Sequence, residues 1–242
     1  MAVNIGLAEM PDIETSSADY ARRFAGAAGR YLLEVQSRAV ATVLKDLPCG
    51  RALDVGGGHG QLVDTLGRLG WAVTVQGTSA ECELNLRQLH GKYNCGYVVV
   101  PLFDLPATDR GYDLAIAVRL LSHVQDWRRL ISEMCRVARR SVVLDYPNKS
   151  GLNALTPMLF GLKKSIEGNT RSYTSFSHAE LCAEFARHGF AFKRSVKQFL
   201  LPMVVHRMGR GSAPLRWLEV LFRMLGLTAL GGSPVILRMD RT

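Results

Sequence analysis

Apolar residues gather along this chain in short runs, and the stretches between them carry helical spacing. The β-rich runs are Arg51–Val55, Ala72–Gln76, Tyr97–Val100, Tyr112–Val118 and Ser141–Asp145. Helical patterns lie near Gln61–Leu69, Ala80–His90 and Trp127–Ala138. Strands alternating with helices predict a parallel sheet covered by helices on both faces. Asp113-Leu-Ala-Ile-Ala-Val118 is apolar after its first residue, as a strand buried on both faces requires.

The pattern loosens after Asp145. An apolar stretch, Leu152–Leu162, is followed by Lys163 and Lys164. Ser177-His-Ala-Glu180 is a capping-box signature that opens a helix to about His188, stopped by Gly189. Further strands are predicted near Phe190–Val196 and Pro234–Met239, with an apolar helix, Leu215–Leu227, between them, on which Arg216, Glu219 and Arg223 share one face and Trp217, Leu218, Leu221, Phe222 and Leu225 supply the rest. The reading is α/β: a Rossmann-like, seven-stranded, mostly parallel sheet with its last strand antiparallel. Residues 1–242 form one domain in it, with an N-terminal helical cap over about 16–46 and helical additions at about 149–176 and 208–230.

Ala52-Leu-Asp-Val-Gly-Gly-Gly-His-Gly-Gln-Leu62 is the strongest local signal. An apolar strand ends at Val55, and a glycine-rich turn leads into a helix. Glycines at 56, 58 and 60 permit left-handed angles and let the main chain approach a ligand with no Cβ in the way. The helix start then aims free N–H groups at that ligand. The spacing is G-x-G-x-G, not the G-x-G-x-x-G of a dinucleotide site, because Gln61 stands where the third glycine belongs. Asp54, just before the turn, favours a cationic ligand.

This segment resembles the first motif, V-L-D-x-G-x-G-x-G, of class I S-adenosylmethionine-dependent methyltransferases. The resemblance runs from about Tyr20 to Phe190. Asp113-Leu-Ala-Ile-Ala-Val-Arg-Leu-Leu-Ser-His-Val124 resembles the family's fourth motif, and Glu133-Met-Cys-Arg-Val-Ala138 its helix before strand five. The small-molecule and quinone-type subgroup is the most similar. The resemblance implies S-adenosyl-L-methionine as cofactor, held by Asp54, Gly56, Gly57, Gly58 and Gly60 at its methionine end and ribose. It places Gln76, Gly77 and Thr78 beside the ribose, and Leu102, Phe103 and Asp104 around the adenine. Arg119 to Ser122 fall near the sulfonium methyl. Two positions depart from the pattern: the acid that usually ends strand two is Gly77, and Pro101 replaces an acid after strand three.

Methyl transfer to a hydroxyl needs a base that titrates near neutral pH. His123 follows strand four at the sheet edge where ligands bind and is the first candidate; Asp145, ending strand five, is the second. His59 in the turn and Tyr146 lie near them in the sequence. Arg171 and Tyr173 are candidate substrate-binding residues for an anionic group, and Arg23 a candidate for the methionine carboxylate. A capping or packing role stays open for each.

Composition narrows the partners. The chain is 48% hydrophobic and 21% charged, an ordinary globular balance. Five cysteines without a C-x-x-C pair and six histidines without ligand spacing predict reduced thiols in a cytoplasmic protein and no metal. No signal peptide and no apolar run of about 18 residues is visible. The net charge of +9 is concentrated after residue 120, where 19 Lys/Arg face 8 Asp/Glu. A nucleic-acid acceptor is nevertheless disfavoured. Val118-Arg-Leu-Leu121 lacks the N/D-P-P-F/Y of base-amine enzymes, and aromatics do not interleave with the cations. The expectation is methyl transfer to O or C of a small, hydrophobic or lipid-linked metabolite. A non-catalytic binder on the same fold and an RNA methyltransferase are the alternatives. Leu215–Leu227 reads first as a helix packed on the core; a substrate lid and a peripheral membrane contact through 215–227 stay open. The sequence does not specify an oligomeric state.

Overall fold

The computed structural model describes residues 26–149 and 174–242, apart from 59, 81, 82, 84, 85, 87–90 and 210. Strands β1 (Arg51–Val55), β2 (Ala72–Gly77), β3 (Cys95–Val99), β4 (Tyr112–Ala117), β5 (Ala138–Tyr146), β6 (Phe190–Phe199) and β7 (Ser233–Arg241) form one sheet. Its order is β3-β2-β1-β4-β5-β7-β6. Neighbours from β3 through to β5 pair in parallel, and β7 runs antiparallel between β5 and β6. The described helices are α1 (Gly26–Leu44), α2 (Val63–Arg68), α3 (Trp127–Val137), α4 (His178–Ala186), α5 (Met203–Met208), α6 (Ala213–Met224) and α7 (Leu227–Gly231).

The strands are apolar on both faces because each face carries its own core. Leu53, Val55, Ala115, Ala117, Val142 and Leu144 pack with Leu130, Ile131 and Met134 of α3 and Leu181 and Phe185 of α4. Their alternates, Ala52, Val73, Val75, Leu114, Ile116 and Val143, pack with Val40 and Val43 of α1 and Val63 and Leu66 of α2. This is the period-two division of a pleated strand. One strand in from the β6 edge, the sheet is tied to α1 by Arg238 of β7. That buried guanidinium donates to both carboxylate oxygens of Asp240, to Asp46 Oδ1 and to the Val43 carbonyl.

The N-cap at Ser177 matches its sequence signal, and Asp126 caps α3 in the same way. Asp126 accepts from the Arg129 N–H at 3.3 Å, and Ser177 from the Glu180 N–H at 3.2 Å. The capping box at Ser177 is only half formed, because Glu180 turns away to Lys149 at 2.9 Å. Around the predicted 80–90 helix, the segment mostly lies outside the described residues, as do Leu152–Leu162, Arg171, Tyr173, Tyr20, Arg22, Arg23 and His59.

The predicted helix 215–227 is two helices, α6 and α7, parted at Gly226, with α5 before them. The division of its residues into faces was legible, but the orientation is reversed. Glu219 is fully buried, and Arg216 reaches inward to the Gly211 and Ala27 carbonyls. Trp217, Leu221, Met224 and Leu225 point out to solvent. The polar residues face inward because the ends of β6 and α1 present unpaired main-chain groups there. The Leu200 and Leu201 N–H groups donate to Glu219 at 3.1 and 2.9 Å, and His206 Nε2 lies 3.1 Å from its Oε1.

Candidate functional site

The strands β1, β4 and β5 deliver their C-terminal ends side by side, and the candidate residues cluster there. The chain leaves β1 through a bare turn. Gly56 and Gly60 take left-handed angles, φ +66° and +61°, that side chains disfavour. The Gly60 N–H closes the turn on the Gly57 carbonyl at 2.6 Å, and the Val63 N–H on that of Gly60 at 3.0 Å. Gly57 lies directly over the Asp54 carboxylate, where a Cβ would overlap Oδ2. The helix behind the turn starts at Val63, two residues later than expected.

Asp54 is 2% exposed, and its Oδ2 has no hydrogen-bond partner among the described residues. Burial pushes its carboxyl up to about 7, opposed by the charge of Arg119. A buried carboxylate oxygen without a donor is costly, and groups of this kind concentrate at functional sites. Asp145, at the end of β5, is the second buried acid. Burial raises it to about 6, while the Arg119 backbone N–H donates to its Oδ1 at 2.6 Å and restrains the rise. Arg119 itself stands at φ +62°, a conformation uncommon for a side-chain-bearing residue. One strained residue past β4 thus lies between two buried carboxylates.

A single 3₁₀ turn, Leu121–His123, follows, and places His123 half-buried at this edge. The Thr174 N–H donates to the Ser122 carbonyl at 2.9 Å, bringing the start of the C-terminal described segment to the same place. Beneath it, Tyr146 Oη lies 3.2 Å from His178 Nδ1, and burial pushes that phenol up to about 12.

On the β2 side the geometry differs from the sequence expectation. The Gln76 side chain is fully buried and joins two loops: Oε1 accepts from the Gly56 N–H at 2.9 Å, and Nε2 donates to the Val100 carbonyl at 2.8 Å. It braces the glycine turn from behind. A Cβ at Gly77 would overlap the Tyr97 hydroxyl, which itself donates to the Ser79 carbonyl at 2.7 Å. Tyr97 therefore fills the place a strand-two acid would take. No local pattern signals this residue, because its place depends on the β2–β3 register. Thr78 is half-buried beside it. After β3, Leu102 is buried in the core, Phe103 is half-buried under the Arg129 guanidinium at 4.8 Å, and Asp104 is exposed. Gly58 is buried within the turn. Among the described residues no cluster of His, Cys, Asp and Glu could hold a metal ion.

A family model described as a methyltransferase domain matches residues 22–194. No curated protein matches the sequence. Solved structures with similar folds are diverse. One is a Thermotoga maritima S-adenosylmethionine-dependent methyltransferase, described as a possible histamine N-methyltransferase: 17% identity, 96% of this chain and 99% of that one, TM-score 0.67. Another is the magnesium protoporphyrin IX methyltransferase of Synechocystis PCC 6803 with bound S-adenosylmethionine, at 15% identity, 100% of both chains and TM-score 0.63. A geranyl diphosphate methyltransferase in complex with its diphosphate and sinefungin shares 17% identity over 86% of this chain and 78% of that one, TM-score 0.61. With the family model spanning most of its length and the sheet order shown above, this chain belongs to the methyltransferase-domain family and has the Rossmann-like fold of the class I enzymes.

Proposed function

We propose that the chain transfers the methyl group of S-adenosyl-L-methionine to an oxygen or carbon of a small, hydrophobic or lipid-linked acceptor. The observation that carries this is the bare turn Gly56–Gly60 lying over the unpartnered Oδ2 of Asp54. The residues fit the cofactor: a main-chain cradle for the aminoacyl end, and a buried carboxylate beside it that a cationic ligand would compensate. The bound sulfonium supplies an already activated methyl group.

The protein's own part is positioning, which supplies on the order of 7–11 kcal/mol at best. Gly56, Gly57, Gly58 and Gly60 let the cofactor approach the main chain, and Asp54 holds its ammonium end. Gln76 keeps the turn in place, Gly77, Thr78 and Tyr97 border the ribose, and Leu102, Phe103 and Asp104 border the adenine. His123 is the base for a hydroxyl acceptor, half-open on its 3₁₀ turn. Asp145 acts through the Arg119 turn: its Oδ1 is occupied by the Arg119 N–H, which suits a positioning residue better than a second base. Arg171 and Tyr173 remain candidates for an anionic group on the acceptor. The chain reads as one domain, with 149–176 and 208–230 as additions to the core sheet, working in the cytoplasm on a small-molecule substrate.

Calorimetry tests the reading. S-adenosylmethionine and S-adenosylhomocysteine are expected to bind and NAD not to, and Gly58→Val is expected to abolish binding by filling the cradle. Binding of NAD alone, or unchanged affinity in that variant, overturns it. A non-catalytic binder is the second reading, favoured by the missing strand-two acid at Gly77. Wild-type cofactor affinity without turnover on any offered acceptor class, with His123→Ala changing nothing, would support that one.

A further inference from the structure

Helix α6 is inside out. Its one acid, Glu219, is its most buried residue, while Trp217 is 73% and Met224 80% exposed. Leu218, Val220, Leu221 and Leu225 share that outward surface, and Leu230 of α7 extends it at 77% exposure. A contiguous apolar surface of this kind marks an interaction site. The helix does not bury these side chains because its polar residues are already committed inside. Glu219 accepts the Leu200 and Leu201 N–H groups, and Arg216 stacks on Tyr31 and holds the Ala27 carbonyl.

Charge identifies the occupant. Residues 200–232 carry four arginines and a single acid, and that acid is buried; Arg216 is turned inward and Arg210 lies outside the described residues, while Arg207 is half-buried. Arg223 is exposed on α6 itself. Among the described residues of this insertion, the surface around the apolar face therefore offers arginine and no exposed acid, the complement of an anionic lipid surface. Among the described residues no helix is long and apolar enough to cross a membrane, so the contact is peripheral.

Position gives the contact a purpose. β6 ends at Phe199 opposite Ser233, and β5 ends at Tyr146 opposite Val235. The α5–α7 insertion therefore leaves the sheet at the same edge that carries the glycine turn, Asp145 and His123. We propose that α6 and α7 dock this protein on an anionic bilayer, with Trp217, Leu221, Met224 and Leu230 sunk among the lipids, and that the methyl acceptor is drawn from that bilayer. The second half rests on the proposed methyl transfer; the docking does not, so vesicle binding measured without cofactor separates the two failures.

The experiment is cosedimentation of the full chain with phosphatidylcholine vesicles, with and without phosphatidylglycerol. Binding is expected with the anionic mixture, weaker on phosphatidylcholine alone and declining with added salt. Trp217→Ala/Met224→Ala is expected to lower partitioning by about tenfold or more, since two inserted side chains are lost. Trp71 and Trp127 are buried, so quenching of emission by brominated lipid reads Trp217 directly. That measurement on the unmodified chain decides the matter if the double variant does not fold. Absence of binding to anionic vesicles, or binding without quenching, overturns the proposal. So does a Trp217 shielded from acrylamide in the free chain, which would make a segment of the chain itself the occupant. A dimer in light scattering that the double variant dissolves would put a second copy there instead.

Discussion

Two buried carboxylates, one under the glycine turn and one beneath α6, have opposite surroundings. Glu219 receives two main-chain N–H groups and lies against His206, and these partners hold its pKa below the usual carboxylate value despite burial. Asp54 has no donor on Oδ2 and is pushed up to about 7. The same burial leaves one acid a satisfied structural staple and the other with an oxygen that has no donor among the described residues. Satisfaction by the protein's own donors, not depth, separates the two.

The contrast breaks most sharply at Glu219. Glu219→Ala leaves two N–H groups and a histidine facing a void, and is expected to cost about 3–5 kcal/mol in urea unfolding. Cofactor affinity of the fraction that stays folded should not change. At Asp54 the sign inverts. The folded chain keeps a proton on Asp54 between about pH 4 and 7 that the unfolded chain has released. Stability therefore falls as pH rises through that window, and the loss is complete above about 7. Asp54→Asn removes this penalty and is expected to gain about 2 kcal/mol at pH 8, less than the full shift because the buried amide still lacks a partner. The same variant should bind S-adenosylmethionine more weakly. In the unmodified chain, affinity should tighten as pH rises from 6 to 8, because the ionised carboxylate holds the cofactor's ammonium; in Asp54→Asn that dependence should vanish. Equal pH profiles for the two chains would place the ammonium elsewhere.

The smaller effect lies at β2. Gly77→Ala puts a methyl where the Tyr97 hydroxyl stands, and is expected to cost about 1–3 kcal/mol. Gly77→Ala/Tyr97→Ala should recover part of it. Stability unchanged in the single variant would mean that Tyr97 is not fixed there.

How much of this was legible in the sequence follows from the range of the forces involved. Strand β1 was read at its observed bounds, and α3 within one residue, because apolar runs and caps are local. The glycine turn was legible for the same reason. What failed needed a tertiary partner. Gln76 was read as facing the ribose, but its two bonds run to Gly56 and Val100, which only the fold brings together. The polar face of α6 was identified by spacing, yet its direction was set by the Leu200 and Leu201 N–H groups, invisible to any periodicity. A hydrophobic stripe shows which residues share a face and says nothing about what the opposite face has already engaged.

Arg119 gives the finest test of the comparison, because it links both acids of the site. Its φ of +62° is strained for arginine and ordinary for glycine. Arg119→Gly relieves that strain but frees the unfolded chain, so the net change in stability should stay within about 1 kcal/mol. Its charge, however, lowers both Asp54 and Asp145. Without it both carboxyls should titrate at higher pH, while the N–H bond to Asp145 is kept because it comes from the backbone. The midpoint of cofactor affinity against pH should therefore move upward in Arg119→Gly, with little change in the urea midpoint at pH 5. Affinity lost equally at every pH would instead give the guanidinium a direct hold on the ligand, and Asp54 would no longer be the group that sets the pH response.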